Sequence, residues 1–255
     1  TSAGNKFFLL LVDDCSRYMW VYLLKTKDEA FETFKKFRKL VEKESKKEIK
    51  VLRTDRGGEF CSNKFKNYCE ESGIKRHYTA PYSPQQNGVV ERRNRTVVAM
   101  VRSFLKGMKM PVTFWGEAVR HSVYVLNMLP TRAIAGKTPY EAWKGKKPHL
   151  QHIKVFGCTA HMKVPGVQTK NLDDRSRAMI YLGSEPGTKA HRLYDPKDGE
   201  IHVSRDVVFE EDKSWLWEVS PQAGLQESGA YTLVGTSFDV PDLTDSTTNS
   251  GGDSV

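Results

Sequence analysis

The chain has 255 residues, of which 38% are hydrophobic and 28% are charged, a mixture typical of a globular protein with a real core. This length allows one large domain or two modest ones. No apolar run approaches the roughly 20 residues that a membrane helix needs, and no signal peptide is visible, so we expect no membrane partner.

Charge is distributed unevenly along the chain. The formal net charge is +9. From Lys213 to the end there are six acidic side chains and one basic side chain, so this tail carries −5 and residues 1–212 carry +14. A body this basic suits a polyanion such as nucleic acid, although net charge alone does not identify a partner.

The residues that commonly bind metals or form disulfides show no diagnostic spacing. The four cysteines are scattered without a C-x-x-C pair, which favours reduced thiols in an intracellular protein over a disulfide framework or a zinc site. Six of the seven histidines show no ligand spacing either, and we interpret these six as structural. These residues are Cys15, Cys61, Cys69, Cys158, His77, His121, His152, His161, His191 and His202.

The first half of the chain alternates strand and helix patterns. Strands are predicted at 7–12 and 18–24, joined by turn residues at 13–17. Thr26 is predicted to cap the next helix, with Glu29 reaching back to it as in a capping box. Strands at 49–54 and 74–79 then enclose a helix that Ser62 caps and Gly73 ends.

The second half begins with a breaker-rich loop at 81–88, followed by a long helix at 89–106 and helices at 113–129 and 139–143. Short strand-like runs at 155–162, 178–182, 192–194 and 201–209 predict a small all-β module. From residue 213 the chain is rich in Ser, Thr, Gly and Asp, which predicts a disordered acidic tail. The pattern indicates a core at 1–147, a β-barrel-like module at 148–212 and a tail at 213–255.

Two carboxylates stand where metal chemistry would need them. Asp55 ends a predicted strand just before two glycines, and Glu91 lies in the first turn of the long helix, with 35 residues between them. Carboxylates placed this way can hold hard divalent cations that assist phosphoryl transfer. Taken singly, each has a simpler interpretation: an Asp before Gly-Gly is usually a turn residue, and a Glu in a first helical turn is usually a favourable partner of the helix dipole.

The sequence around these acids resembles one family closely. The segments RTDRGGEF (53–60) and PQQNGVVER (84–92) resemble the second and third acidic motifs of the integrase core in copia-type retrotransposons. Other segments resemble the same family in the same order, over roughly residues 4–211. They are VDDCSRY (12–18), FWGEA (114–118), TPYEAW (138–143), VFGC (155–158), RLYDP (192–196) and SRDVVF (204–209).

This resemblance implies an α/β fold of the retroviral integrase superfamily, with an RNase H-like mixed sheet flanked by helices. It implies that Asp55 and Glu91 are catalytic metal ligands of a D-D-35-E site that uses Mg²⁺ or Mn²⁺. The implied function is DNA integration by polynucleotidyl transfer within a Pol polyprotein. The implied partners are element ends, target DNA and further copies of the chain, in the nucleus at the step of integration.

One acid of the family pattern has no counterpart in this sequence. In the family, the first catalytic Asp lies on a strand before the hairpin strand at 7–12, and a His/Cys zinc module lies further upstream. The sequence begins at Thr1, so we expect a piece of a longer protein whose sheet lacks its first strand, whose metal binding is weak and which is inactive alone. Asp13 and Asp14 fall in the hairpin turn, one strand too late to substitute.

Candidate DNA-binding residues lie on the long helix and in the loop before it. The helical positions share or flank the face of Glu91, and a cationic stripe there would position phosphates. A solvated helix face remains the alternative, as does a plain polar connector for the loop. The candidates are Gln85, Gln86, Asn87, Arg92, Arg95, Arg102 and Lys106. The basic residues at 35–47 alternate with Glu, which indicates solubility instead.

Two rival functions stay open. A decayed or co-opted element would leave a non-catalytic nucleic-acid-binding remnant. An RNase H-type nuclease would share the fold and the metals, but the PQQNG loop and the following β module argue against it. Trp115, Trp143 and Tyr124 occupy helical apolar positions, which favours a place in the core over base stacking.

Overall fold

The computed structural model describes residues 1, 3–54, 57–78, 88–164 and 175–217, together with the backbone of 233–239. The helices are α1 (Glu29–Ser45), α2 (Gly58–Cys61), α3 (Asn63–Glu71), α4 (Gly88–Gly107), α5 (Trp115–Met128) and α6 (Pro139–Lys144). The strands are β1 (Phe7–Asp13), β2 (Met19–Leu24), β3 (Val51–Thr54), β4 (Lys75–Tyr78), β5 (Cys158–Lys163), β6 (Ser176–Ser184), β7 (His191–Tyr194), β8 (Ile201–Ser204), β9 (Val207–Ser214) and β10 (Leu233–Asp239). No described helix is both long and apolar enough to cross a membrane.

The core is a mixed five-stranded sheet with helices on both faces, which confirms the predicted α/β class. Its strand order is β2-β1-β10-β3-β4, with β1 and β2 antiparallel and β3 and β4 parallel. The side chains of 8–12 in β1 are at most 1% exposed, so this strand is buried on both faces. A continuous apolar run rather than an alternating one is what such a position requires.

Alternate side chains of β1 enter two different hydrophobic clusters because successive residues of a strand face opposite sides of a sheet. Leu9 and Leu11 pack with residues of α1 and α3, and Leu10 packs with residues of α4 and α5. The long helix α4 therefore lies on one defined face, with Val97 among its buried residues. Its opposite side is left for solvent or a ligand.

The strand β10 comes from the far end of the chain and completes the centre of this sheet. It pairs with β1 in parallel over six residue pairs and with β3 in antiparallel over four. The composition of these residues predicts that they lie in the acidic tail, and the family resemblance predicts a core sheet without its first strand. In residues 233–239, Gly, Thr and Ser separate the apolar residues and further Ser, Thr, Gly and Asp surround the segment, so no strand pattern stands out.

The second sheet forms a small all-β module, as predicted. Its order is β8-β7-β6-β5-β9, and its neighbouring strands are antiparallel. Four intervals in a flat sheet would separate the outer strands by about 19 Å. Ser204 and Val207, which end β8 and begin β9, are three residues apart and can be separated by at most about 11 Å. The sheet must therefore roll until its two edges approach each other.

The module and the core share one hydrophobic cluster. Phe156, Ile180 and Leu182 of the module join the buried residues of α4 and α5. Gly157 lies tightly against the core, because a Cβ there would lie 2.4 Å from Met110 Sδ, and it has φ +86°. An L side chain at this position would meet both backbone strain and a clash.

Two local expectations need correction. Thr26 does not cap α1: the cap position is Asp28 without a side-chain bond, and the Glu29 carboxylate accepts the Lys25 N–H at 2.9 Å. The single strand predicted at 201–209 is two strands, β8 and β9, because the turn at 205–206 carries the chain from one edge of the rolled sheet to the other. Ser62 does cap α3, accepting the Phe65 N–H at 3.3 Å.

Candidate metal and nucleic-acid site

Glu91 lies in the first turn of α4 with its side chain exposed. Val90 and Val97 anchor this helix in the core, which fixes the direction in which its outer face points. Within the described part of the chain, no hydrogen bond or ion pair engages the Glu91 carboxylate. Its oxygens are therefore available as hard ligands for a divalent cation.

The predicted cationic stripe is present on α4. Arg95 and Arg102 follow Glu91 at spacings of four and eleven residues, and both are exposed. Lys106 and Arg92 are exposed as well. The Arg92 guanidinium folds back over Gly88, where a Cβ would lie 3.0 Å from its Nη1.

The other predicted site residues lie outside the described residues. They are Asp55, which follows directly after the last residue of β3, and the loop residues Gln85, Gln86 and Asn87. The described parts of the site are thus the end of β3 at Thr54 and the first turn of α4. The role of Asp55 as a metal ligand stays a prediction.

Asp13 and Asp14 are both committed to local contacts. Asp13 is 1% exposed, and its Oδ2 accepts bonds from the Ser16 N–H at 2.7 Å and the Ser16 hydroxyl at 2.5 Å. Asp14 forms ion pairs with Arg17, at 3.3 Å, and with Arg53. These contacts hold the β1–β2 turn together, as expected for acids in a hairpin turn.

Two family models match the chain. Residues 1–84 match the integrase core domain, and residues 158–223 match the retroviral polymerase SH3-like domain. The chain belongs to the retrotransposon integrase family.

Two relatives of the chain are polyproteins much longer than the chain itself. The chain is 42% identical over 246 residues to the Retrovirus-related Pol polyprotein from transposon TNT 1-94 of Nicotiana tabacum, covering 96% of this chain and 18% of the relative. It is 31% identical over 206 residues to the polyprotein from transposon RE2 of Arabidopsis thaliana, covering 81% and 14%. The chain therefore spans less than a fifth of the length of these relatives.

Among solved structures, the chain is similar to the HTLV-2 integrase catalytic core domain in complex with magnesium. The TM-score is 0.40 with 21% sequence identity, over 55% of this chain and 97% of that one. It is also similar to a chain of the simian T-cell lymphotropic virus intasome in complex with PP2A regulatory subunit B56 gamma. There the TM-score is 0.44 with 17% identity, over 78% and 76%.

The integrase core also holds a group of arginines that the sequence did not reveal. Arg93 is half-buried, and its Nη2 donates to the Thr131 hydroxyl at 3.2 Å. Burial lowers the pKa of Arg93, and the nearby charges of Arg17 and Arg92 lower it further. Arg17 lies in the β1–β2 turn, Arg92 and Arg93 lie on α4, and Thr131 lies in the loop after α5. Because these elements are far apart in the sequence, residue spacing does not indicate the group.

In the SH3-like domain, Asp195, Asp198 and His202 form a cluster whose possible ligand atoms lie within 4.8 Å of one another. Arg177 pairs with both carboxylates, with Nη2 3.1 Å from Asp198 Oδ2. His202 Nε2 lies 3.0 Å from the same oxygen. A guanidinium already supplies the positive charge here, so the cluster is an ion-pair network that joins β6 to the β7–β8 turn.

Proposed function

We propose that the chain acts in DNA integration and that it contributes an exposed DNA-binding face and two carboxylates to metal-dependent polynucleotidyl transfer. One observation carries the proposal: Glu91, Arg95 and Arg102 share the outer face of a helix whose inner face is anchored in the core. A carboxylate flanked by phosphate-binding cations is the arrangement that such a reaction needs. Membership in the retrotransposon integrase family supports the same function.

The donor set fits Mg²⁺ or Mn²⁺. Glu91 offers exposed carboxylate oxygens and no soft ligand lies in the same helical turn, which suits a hard cation. Asp55 would be the second protein ligand. A bound divalent cation would supply Lewis-acid stabilisation of the reacting phosphate. Arg95 and Arg102 would hold the DNA backbone along the helix, while Glu91 would orient the cation.

A second candidate, DNA binding without catalysis by this chain, is favoured by the contacts of Asp13 and Asp14. Both acids are held by Ser16, Arg17 and Arg53, so neither is free to serve as a third metal ligand. Affinity for divalent cations depends on the number and charge of the ligands. We infer that the chain by itself binds metal weakly, and that it binds DNA more effectively than it catalyses strand transfer.

DNA binding is tested with Arg95→Glu in the full chain, with Lys39→Glu on the exposed face of α1 as a control of equal charge change. We expect Arg95→Glu to lower the affinity for duplex DNA by about tenfold. It should also reduce the slope of log K against log salt by about 0.9 for each lost phosphate contact. The control should leave the slope unchanged. Equal effects of both variants would show that binding follows net charge rather than the α4 face, which would refute the proposal.

Catalysis is tested separately with donor DNA ends and Mn²⁺, comparing the wild type with Glu91→Gln. We expect strand-transfer product near background in both proteins and unchanged DNA affinity in the variant. Robust product in the wild type that is lost in Glu91→Gln, but not in Lys39→Glu, would overturn the non-catalytic candidate. It would establish this chain as a strand-transfer enzyme.

A further inference from the structure

We propose that Arg93, Arg17 and the Thr131 hydroxyl form a phosphate-binding site at the β1–β2 turn, separate from the exposed face of α4, which holds a backbone phosphate of bound DNA. The inference rests on the proposed DNA-binding function and adds a second contact to it. Arg93 follows Glu91 by two residues, which is about 200° around the helix. It therefore points away from the stripe of Arg95 and Arg102.

The charges around Arg93 favour a bound anion. Asp14 is shared between Arg17 and Arg53, and among the described residues no carboxylate lies within ion-pair distance of Arg93. Its acceptor there is the neutral hydroxyl of Thr131. A half-buried guanidinium that faces further arginines is unfavourable without an anion, because burial removes the water that would otherwise stabilise it.

Arg17 and Thr131 both keep hydrogen-bond donors that a phosphate could accept from. The Arg17 Nε is buried and has no hydrogen-bond partner within the described part of the chain. Thr131 accepts from Arg93 and keeps a hydroxyl proton that it can donate. Guanidinium N–H groups and a hydroxyl are the kinds of donor that match the acceptor oxygens of a phosphodiester.

The backbone conformation of Arg17 is also typical of a ligand site. Arg17 has φ +61°, a left-handed conformation that non-glycine residues rarely adopt. The turn is nevertheless fixed, since the Arg17 N–H donates to the Asp13 carbonyl at 2.8 Å and the Asp13 N–H donates to the Tyr18 carbonyl at 2.9 Å. Strain that the surrounding contacts maintain is common at ligand sites. Here the Arg17 side chain pairs with Asp14 at 3.3 Å, close enough to Arg93 for its charge to lower the pKa of that side chain.

The test uses Arg93→Met in the full chain. Met keeps much of the length of the side chain and removes its charge. Arg120→Met is the matched control, because Arg120 is an exposed arginine on α5 that pairs with Glu117. Fluorescence anisotropy with a duplex DNA, over a series of salt concentrations, measures affinity and salt slope. Thermal unfolding with and without inorganic phosphate measures anion binding directly.

We expect Arg93→Met to weaken DNA binding about three- to tenfold and to reduce the salt slope by about 0.9, the value of one phosphate contact. Phosphate should raise the unfolding temperature of the wild type but not that of Arg93→Met. Without phosphate, the variant should be no less stable than the wild type, which a purely structural role of Arg93 would not produce. Arg93→Lys should restore the slope, and Arg120→Met should change neither readout.

The outcomes separate this inference from the proposed function. If Arg95→Glu weakens DNA binding but Arg93→Met leaves both the slope and the phosphate effect unchanged, the second site is refuted and the function stands. If the wild type does not bind DNA, the proposed function fails. In that case an unfolding shift with phosphate that Arg93→Met abolishes would still support an anion site, and its absence would refute the site as well.

Discussion

The two sheets of this protein are assembled from the chain in opposite ways. The SH3-like sheet uses strands from one stretch, 158–214, and its neighbouring strands are antiparallel. The core sheet takes its central strand, β10, from the far end of the chain and sets it between β1 and β3. Closing a longer loop costs more conformational entropy, and a central strand satisfies the backbone groups of two neighbours. The stability of the core sheet therefore depends on pairing between strands that lie far apart in the sequence, and that of the SH3-like sheet depends on it much less.

The largest effect should come from Thr236→Pro. Thr236 pairs with Leu11 of β1 on one side and with Thr54 of β3 on the other, so β10 has a neighbouring strand on both sides at this position. Proline removes one ladder donor and leaves a carbonyl unpaired in the middle of a sheet. We expect the free energy of unfolding to fall by about 3 kcal/mol or more. Urea unfolding measures the loss, and hydrogen exchange should show it at the amides of β1 and β3.

The control is Thr236→Val, which has a side chain of similar shape and keeps the backbone N–H, so it should cost much less stability than proline. The strand direction can be checked by disulfide cross-linking. Asp239 is paired with Val51, whereas Gly235 lies four residues, or about 13 Å, further along the strand. Cysteines at 51 and 239 should cross-link, and cysteines at 51 and 235 should not. The reverse result would contradict the pairing.

The contrast between the sheets also explains what the sequence could predict. The strands β1 to β4, and the helices α1 and α3, follow from local apolar periodicity and from a cap such as Ser62, whereas the short helix α2 has no such pattern. The face shared by Glu91, Arg95 and Arg102 follows from helical spacing alone. In contrast, β10 is a segment of mixed apolar and polar residues whose partners lie far away in sequence, and local pattern carries no information about them. For the same reason, local pattern does not indicate the electrostatic interaction between Arg93 and Arg17.

The junction between the two sheets should respond to acid through His121. This side chain is 4% exposed and lies against the rings of Phe104, Phe156 and Tyr181. Burial lowers the pKa of His121 from its ordinary 6.5 to about 4. Above pH 6.5 the imidazole is neutral in both folded and unfolded chains. As the pH falls from 6.5 to 4, only the unfolded chain takes up the proton, so stability declines.

The expected loss is up to about 3 kcal/mol across this window, and it should level off below pH 4, where both states are protonated. His121→Phe removes the titrating group while keeping an aromatic ring. The difference between the two curves of unfolding free energy against pH isolates His121 from the other histidines. Parallel curves between pH 6.5 and 4 would show that His121 does not couple the junction to pH.

The smallest effect should be confined to the SH3-like sheet. Asp195 is 0% exposed, and it is held by Arg177 and by the Lys197 N–H, which donates to its Oδ1 at 2.7 Å. Arg177→Met leaves a buried carboxylate without its counter-charge, which should lower the free energy of unfolding by about 2 kcal/mol. The loss is smaller than for β10 because Arg177 is one-third exposed, so water compensates part of it. Arg205→Met, at an exposed arginine of the same domain, should have no measurable effect. Hydrogen exchange should quicken in β6 and β7 but not in β1, because the pair joins strands that are neighbours in sequence. Faster exchange in β1 would mean that the two sheets unfold as one unit, and the contrast drawn from their assembly would then not extend to their stability.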